Sequence, residues 1–328
     1  MKSHFIALAL ILSSPVKTNF WGFYAHQLIN RMAVFTLPVE MIGFYKHNIQ
    51  YITENAVNPD RRRYAIKEEA ARHYIDIDVY GDSAVYKLPR YWNEAVKVYS
   101  EDTLKAYGIV PWHVEVMRYR LTDAMRIMDG EAILRLSADL GHYIADANVP
   151  LHTTSNYNGQ LSGQDGIHGL WESRLTELFA NEYNFFVGKA QYLDYPQLVI
   201  WQGVTQAHLA LDTVFAAEKQ VSHRLGADKK YTFETRGNQT VKAYSYPFSK
   251  AYHEAMQDMV ERQMVRSVKM VGDFWYTCWI DAGQPDLDRL IEFEFSQEEL
   301  DKRKQELEDW KNKQYKSRPH ETGEQLER

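Results

Sequence analysis

Residues 142–152 read HYIADANVPLH, and residues 168–172 read HGLWE, with a loop rich in Asn and Gly between them. The stretch sets His142 four residues before Asp146, puts His152 just past a proline, and sets His168 four before Glu172. Positions four apart share one face of an α-helix, about 5–6 Å apart at Cβ, so each pair can close on one ion. Pro150 lacks an N–H and disfavours helix at the residue before it, so the helix carrying His142 ends near Asn148 or Val149. That break turns His152 back toward the same cavity. Zinc takes His nitrogen and carboxylate oxygen at about 2.0–2.2 Å, usually in tetrahedral sets. One His-x-x-x-Asp pair would be weak evidence, because a lone helical His is more often a satisfied core or surface residue. Two pairs with a third His between them point to a multinuclear metal centre on a helical scaffold.

The chain has 328 residues, enough for one large domain or two modest ones with a sizeable core. Apolar residues at 45% and aromatics at 13% exclude a disordered chain. A net charge of -6 gives no broad grip on nucleic-acid phosphates, so no stable nucleic-acid complex is expected. Residues 1–20 place Lys2 before the apolar run Phe5–Leu12 and then small and polar residues. This is a secretory signal pattern, too short to span a bilayer, and it implies a secreted or periplasmic protein. The lone Cys278 excludes an internal disulfide framework and reads as a small apolar core residue.

The rest reads as helix. Apolar spacing predicts helices over Trp21–Leu37, Arg61–Tyr74, Val114–Met128, Glu131–Val149, Pro196–Leu225 and Ser249–Ile280. Met128-Asp-Gly130 marks a turn, Met256, Met259, Met264 and Met270 read as packed core, and Tyr231–Tyr246 reads as a loop or small hairpin. From Ser296 a capping-box pattern opens a charged segment with little apolar face, read as a solvated terminal helix. The reading is an all-α fold: a signal segment at 1–20, one multi-helix domain at 21–288, and a charged helical or disordered tail at 289–328.

Upstream, Trp21-Gly-Phe-Tyr-Ala-His26 follows the signal segment, and Arg72-His73-Tyr-Ile-Asp76 follows a basic stretch. Together with the two opening motifs these resemble the zinc-dependent phospholipase C superfamily, which includes the single-strand-specific zinc nucleases of the S-one/P-one type. The motifs span Trp21 to Glu172, and the downstream half has no comparable one. The resemblance implies the phospholipase C and zinc nuclease type of fold, and three zinc ions. One is held by His26 with the α-amine and carbonyl of Trp21, once residues 1–20 are removed. A second takes His73, His142, the bridging Asp146 and an upstream acid. A third takes His152, His168 and Glu172. The upstream acid is read as Asp60, thirteen residues before His73, with Asn58 as the alternative. Only a carboxylate both binds zinc strongly and accepts a proton from its water. The separation of Trp21 and His26 is nuclease-like, whereas Glu172 and the spacing from His152 to His168 are phospholipase-like.

These parts suit metal-assisted hydrolysis of a phosphodiester, with Asp60 as base. The substrate is read as phospholipid, with single-stranded nucleic acid as the alternative and an exported zinc-binding protein without activity as a further one. No Glu-x-x-His pair supports a di-iron bundle, and no H-E-x-x-H supports a metalloprotease. Asp76 and Asp78 read as supporting or surface residues, and Arg61–Arg63 as a solvated basic face. Trp112, Tyr157 and the Asn156-Tyr-Asn158 segment are candidates to line the pocket. His47, His113, His208, His223, His253 and His320 match no ligand pattern.

Overall fold

The computed structural model describes residues 22–63, 66–236 and 239–311, so Trp21 and the expected signal segment at 1–20 lie outside the described residues. The first part of the chain forms α1 (Phe23–Ala33), α2 (Val39–His47), α3 (Ile49–Asn55) and α4 (Asn58–Arg62). Short helices α5 (Ala84–Lys87), α6 (Trp92–Tyr99) and α7 (Glu101–Tyr107) lead to the long pair α8 (Val110–Arg126) and α9 (Gly130–Asp146). Then come α10 (Leu175–Phe179), α11 (Pro196–Leu209), α12 (Leu211–Leu225), α13 (Tyr246–Ala255), α14 (Met259–Asp281) and α15 (Gln297–Lys311). The fold is all-α, with one two-stranded antiparallel hairpin among the described residues: β1 (Tyr231–Arg236) paired with β2 (Gln239–Tyr244).

The centre of the molecule is α9. Asp129 accepts the N–H of Ala132 at 3.0 Å and so caps its start, while Met128 at φ 59 makes the preceding turn. Nearly every residue of α9 from Ile133 onward is buried, because α1, α3, α8 and α14 cover it. Its Ser137 bonds Tyr45 through the side chain and Trp275 through the carbonyl, and those two rings stack at 5.1 Å. Full burial of such side chains contributes about 1.5–3 kcal/mol each. The methionines Met256, Met259, Met264 and Met270 lie in this core. Cys278 is buried there too, where burial pushes its thiol up to about 12.

Several elements differ from the sequence reading. The helix over Arg61–Tyr74 is not continuous: α4 stops at Arg62, and among the described residues a single 3-10 turn, Ala70–Arg72, follows before His73. Its charges explain this. Arg62 turns inward onto Asp139 at 2.9 Å, and fully buried Glu69 takes Arg72 at 2.6 Å and the hydroxyl of Tyr143. The basic face is therefore not solvated at Arg62. The two long downstream helices break, at Ala210 and at Gln257, whose φ of 56 leaves the helical region. In the charged tail, α15 forms as read, with Ser296 Oγ accepting the N–H of Glu299 at 3.2 Å. The segment beyond 288 also folds back: Phe295 stacks on Tyr51 at 4.8 Å, Arg303 lies over Tyr51, and α15 lies on α4. Residues 312–328 lie outside the described residues.

Candidate metal centre

The site forms where six pieces of backbone meet. Helix α1 brings His26, α4 brings Asp60, and the loop after the 3-10 turn brings His73. The last turns of α9 bring His142 and Asp146, and a 3-10 turn at Pro150–Thr153 brings His152. The bend that Pro150 forces thus returns His152 beneath α9. His168 and Glu172 sit at the start of a π-helical turn, Gly169–Arg174, which runs into α10. Asp78 pins the loop that leaves His152, accepting from Thr154 Oγ1 at 2.8 Å and Ser155 N at 2.9 Å.

Three groups of donors result: Asp60, His73 and His142; His26, His142 and Asp146; and His152, His168 and Glu172. In the first, His73 Nδ1 and His142 Nε2 are 3.0 Å apart, and each lies 3.7 Å from Asp60 Oδ1. Asp146 Oδ2 completes that group, 2.9 Å from His73 and 3.2 Å from His142. Its other oxygen, Oδ1, faces His26 Nε2 at 3.5 Å and His152 Nδ1 at 3.4 Å. In the third group, His168 Nε2 lies 3.1 Å from His152 Nε2 and 2.7 Å from Glu172 Oε2. Glu172 Oε1 reaches back to His26 Nε2 at 3.4 Å. The two bridging carboxylates make the groups one continuous centre.

The donor set fits metal ions on two grounds. Bonds of about 2.0–2.1 Å in a tetrahedron put ligand atoms about 3.3 Å apart, and the separations above scatter around that figure. The lone pairs are also aimed inward. His142 Nδ1 donates to Ala56 O at 2.8 Å and His152 Nδ1 to His73 O at 2.8 Å, leaving each Nε2 toward the group.

Charge balance agrees. Burial opposes a charge on His142, but Asp146 and Asp60 outweigh it and hold the ring up to about 9. Burial likewise opposes a charge on His152, and Asp146 and Glu172 raise it to about 9. Asp146 and Glu172 would be raised by burial, yet the surrounding imidazoles hold both well below the usual carboxylate range. Asp60 is lowered in the same way by His142 and His73, and at 21% side-chain exposure it is the most open of the set.

The structure brings Asp60 to the cluster and turns Asn58 away. Asn58 is buried between Asn55 and Arg61, at 3.0 Å from each. Tyr157 lies near His168, with ring centroids 6.0 Å apart, while Asn156 and its neighbours brace the loop. Trp112 does not line the site: it packs edge-on between Trp92 and Trp201 in the core. Asp76 is buried and Asp78 holds the loop. The acid behind His73 is one the sequence reading missed. Glu69 is four residues earlier, with Oε1 3.8 Å from His73 Nε2, and is itself held by Tyr143 and Arg72. The signal was the same four-residue spacing that exposed the other pairs. No protein-family model matches the chain, and no curated protein matches it.

Proposed function

We propose that this chain is a zinc-dependent phosphodiester hydrolase acting on phospholipid in the manner of a phospholipase C. The observation that carries the reading is the sharing of Asp146 and Glu172 among three donor groups, which builds one multinuclear centre. Imidazole nitrogen mixed with carboxylate oxygen is a donor set that suits zinc. When bound, the ions would lower the pKa of water and neutralise charge on the phosphoryl oxygens. The chain's own part is to hold the donors and move the proton. Asp60, open to solvent on α4, orients the attacking water and accepts its proton. Arg63, 3.5 Å from Asp60 Oδ1, helps keep that carboxylate charged.

The N-terminal junction belongs to the same reading. Gly22 takes φ +89, and a Cβ there would lie 3.3 Å from Glu172 Oε1, so the chain enters the domain beside the cluster. Cleavage after Phe20 would free a Trp21 amine one residue before Gly22. The five-residue step from Trp21 to His26 favours a second reading, a single-strand-specific nuclease of the same superfamily.

The test is zinc content of protein made in an exporting host, with phosphatidylcholine and single-stranded DNA assayed on the same sample. About three zinc per chain is expected, with phosphatidylcholine cleaved. Asp60→Asn should lower the rate about 10²–10⁴-fold. Turnover of DNA alone would select the nuclease reading. Retained metal with neither substrate cleaved would leave an exported zinc-binding protein, and loss of both metal and turnover would end the proposal.

A further inference from the structure

Residues 183–195, which lead into α11, run alongside α14 and are tied to it at intervals. Asn184 N donates to Glu261 Oε1 at 2.9 Å, Gln191 N to Asp273 Oδ1 at 2.7 Å and Leu193 N to Thr277 Oγ1 at 3.0 Å. Between the segment, α14 and the first turn of α11 lies a groove of about 420 Å³, within the size range of small-molecule sites. Val187, Val199, Val265 and Met270 give it an apolar wall drawn from all three pieces. Its other lining is charged and comes from α14: Arg262, Arg266, Lys269 and Asp273. Gln263, Met264 and Ser267 of the same helix point the other way, to a small cavity beside His26. The groove and the metal centre therefore lie on different faces of α14.

The charges in the groove do not cancel. Arg262 pairs with Asp258, and Lys269 with Asp273 at 2.5 Å. Glu261 is turned to the backbone of Asn184. Arg266 is half-buried and pairs with no carboxylate among the described residues; its hydrogen bond goes to the neutral amide of Gln263 at 2.5 Å. Burial and the neighbouring Arg262 hold its guanidinium below the usual value. Removing a charge from water without a counter-charge is costly, and a guanidinium fork matches a carboxylate in shape as well as sign.

We propose that this groove binds a single-chain amphiphile with a monoanionic head, a fatty carboxylate, whose head sits on Arg266 and whose chain covers the apolar wall. One uncompensated positive charge calls for one negative charge. The four apolar side chains call for hydrocarbon, and the methylene stems of Arg262 and Lys269 can lie along it while their heads stay in water. This site is independent of the hydrolase reading.

Calorimetric titration of the full chain with decanoate, decanol, acetate and decyl phosphate tests the proposal. Decanoate should bind at one site, with acetate and decanol about tenfold or more weaker, because each supplies only half of the recognition. Arg266→Gln should weaken decanoate about 10–100-fold, as loss of a charged hydrogen-bond partner does, and leave decanol unchanged, while Arg266→Lys should recover part of the loss. Equal affinity for decanoate and decanol, or an Arg266→Gln variant that binds decanoate normally, would overturn it. Tighter binding of decyl phosphate would replace the carboxylate head by a phosphate and overturn the ligand assigned. Each titration is repeated with a zinc chelator present. Decanoate binding that survives supports the groove, even in a chain that proves to hold no zinc and so sinks the hydrolase reading. Decanoate binding lost with the metal would mean the carboxylate sits on the ions, and would overturn the groove.

Discussion

His113 sits in the wall behind His73, 7% exposed, with its ring edge-on to Tyr143 at 4.6 Å. Burial, with Arg72 beside it, pushes the imidazole down from 6.5 to about 3, against the opposing pull of Glu69. The folded chain therefore binds fewer protons here than the unfolded chain between those two values. Stability contributed by this neutral ring is whole above pH 6.5 and is lost as pH falls toward 3. At about 1.4 kcal/mol per pH unit, the loss amounts to several kcal/mol at most. Replacing it by an uncharged ring, His113→Phe, should flatten that acid limb in urea melts run across the window; an unchanged slope would mean His113 is protonated in the fold. Single residues were also where the sequence was hardest to read. The candidate ligands were legible because metal chemistry demands particular residue types at helical spacing. Glu69 shares that spacing with His73 and was passed over, since nothing in the sequence shows that Tyr143 and Arg72 hold it behind the ring.

The crossing of α1 and α9 sets the geometry at the next scale. Gly141 precedes His142, and a Cβ there would lie 2.0 Å from Asn30 Oδ1 and 2.8 Å from its Cγ. Asn30 is one turn beyond His26 on α1, fully buried, and tied to Ala138 O at 3.0 Å, so it has little room to yield. This close approach is what stacks the His26 and His142 rings at 3.9 Å. Gly141→Ala sets two effects against each other. Helix propensity alone would stabilise α9 by about 1 kcal/mol. Overpacking typically costs about 1–3 kcal/mol, and with a pinned side chain in the way it should win. Net destabilisation with weaker zinc binding is expected in denaturant titrations; a stabilised variant would show that α1 slides freely. Most helices were legible from apolar spacing, α8 and α9 nearly to their ends. The segment from Arg61 to Tyr74 was not, because periodicity cannot reveal that Asp139 and Tyr143 draw Arg62 and Glu69 inward. The breaks at Ala210 and Gln257 were hidden for a related reason: an apolar pattern that continues through a turn reads as one helix.

Across the whole molecule, the candidate metal centre would also be a structural joint. Its donors come from α1, α4, the loop at His73, α9, the Pro150 turn and the π-helical turn, segments spread from His26 to Glu172. Without ions, Asp60, Asp146 and Glu172 are balanced by protons on buried imidazoles, two of which are held up to about 9. An ion that binds the folded chain and not the unfolded one stabilises the fold by RT ln(1 + [L]/Kd), about 4 kcal/mol at a thousandfold excess over Kd. For a chain of this size each kcal/mol moves Tm by about 2–4 °C or less, so removing the ions should lower Tm by about 5–15 °C. The drop should reverse on adding zinc back, and the segments that carry ligands should exchange amide hydrogens faster while the α8 core stays protected. The alternative is that hydrogen bonds among the imidazoles and carboxylates suffice to hold the joint. That view predicts the same Tm with and without chelator. On that view the two close pairs of ring nitrogens, 3.0–3.1 Å apart, are N–H···N hydrogen bonds between a donor and an acceptor imidazole.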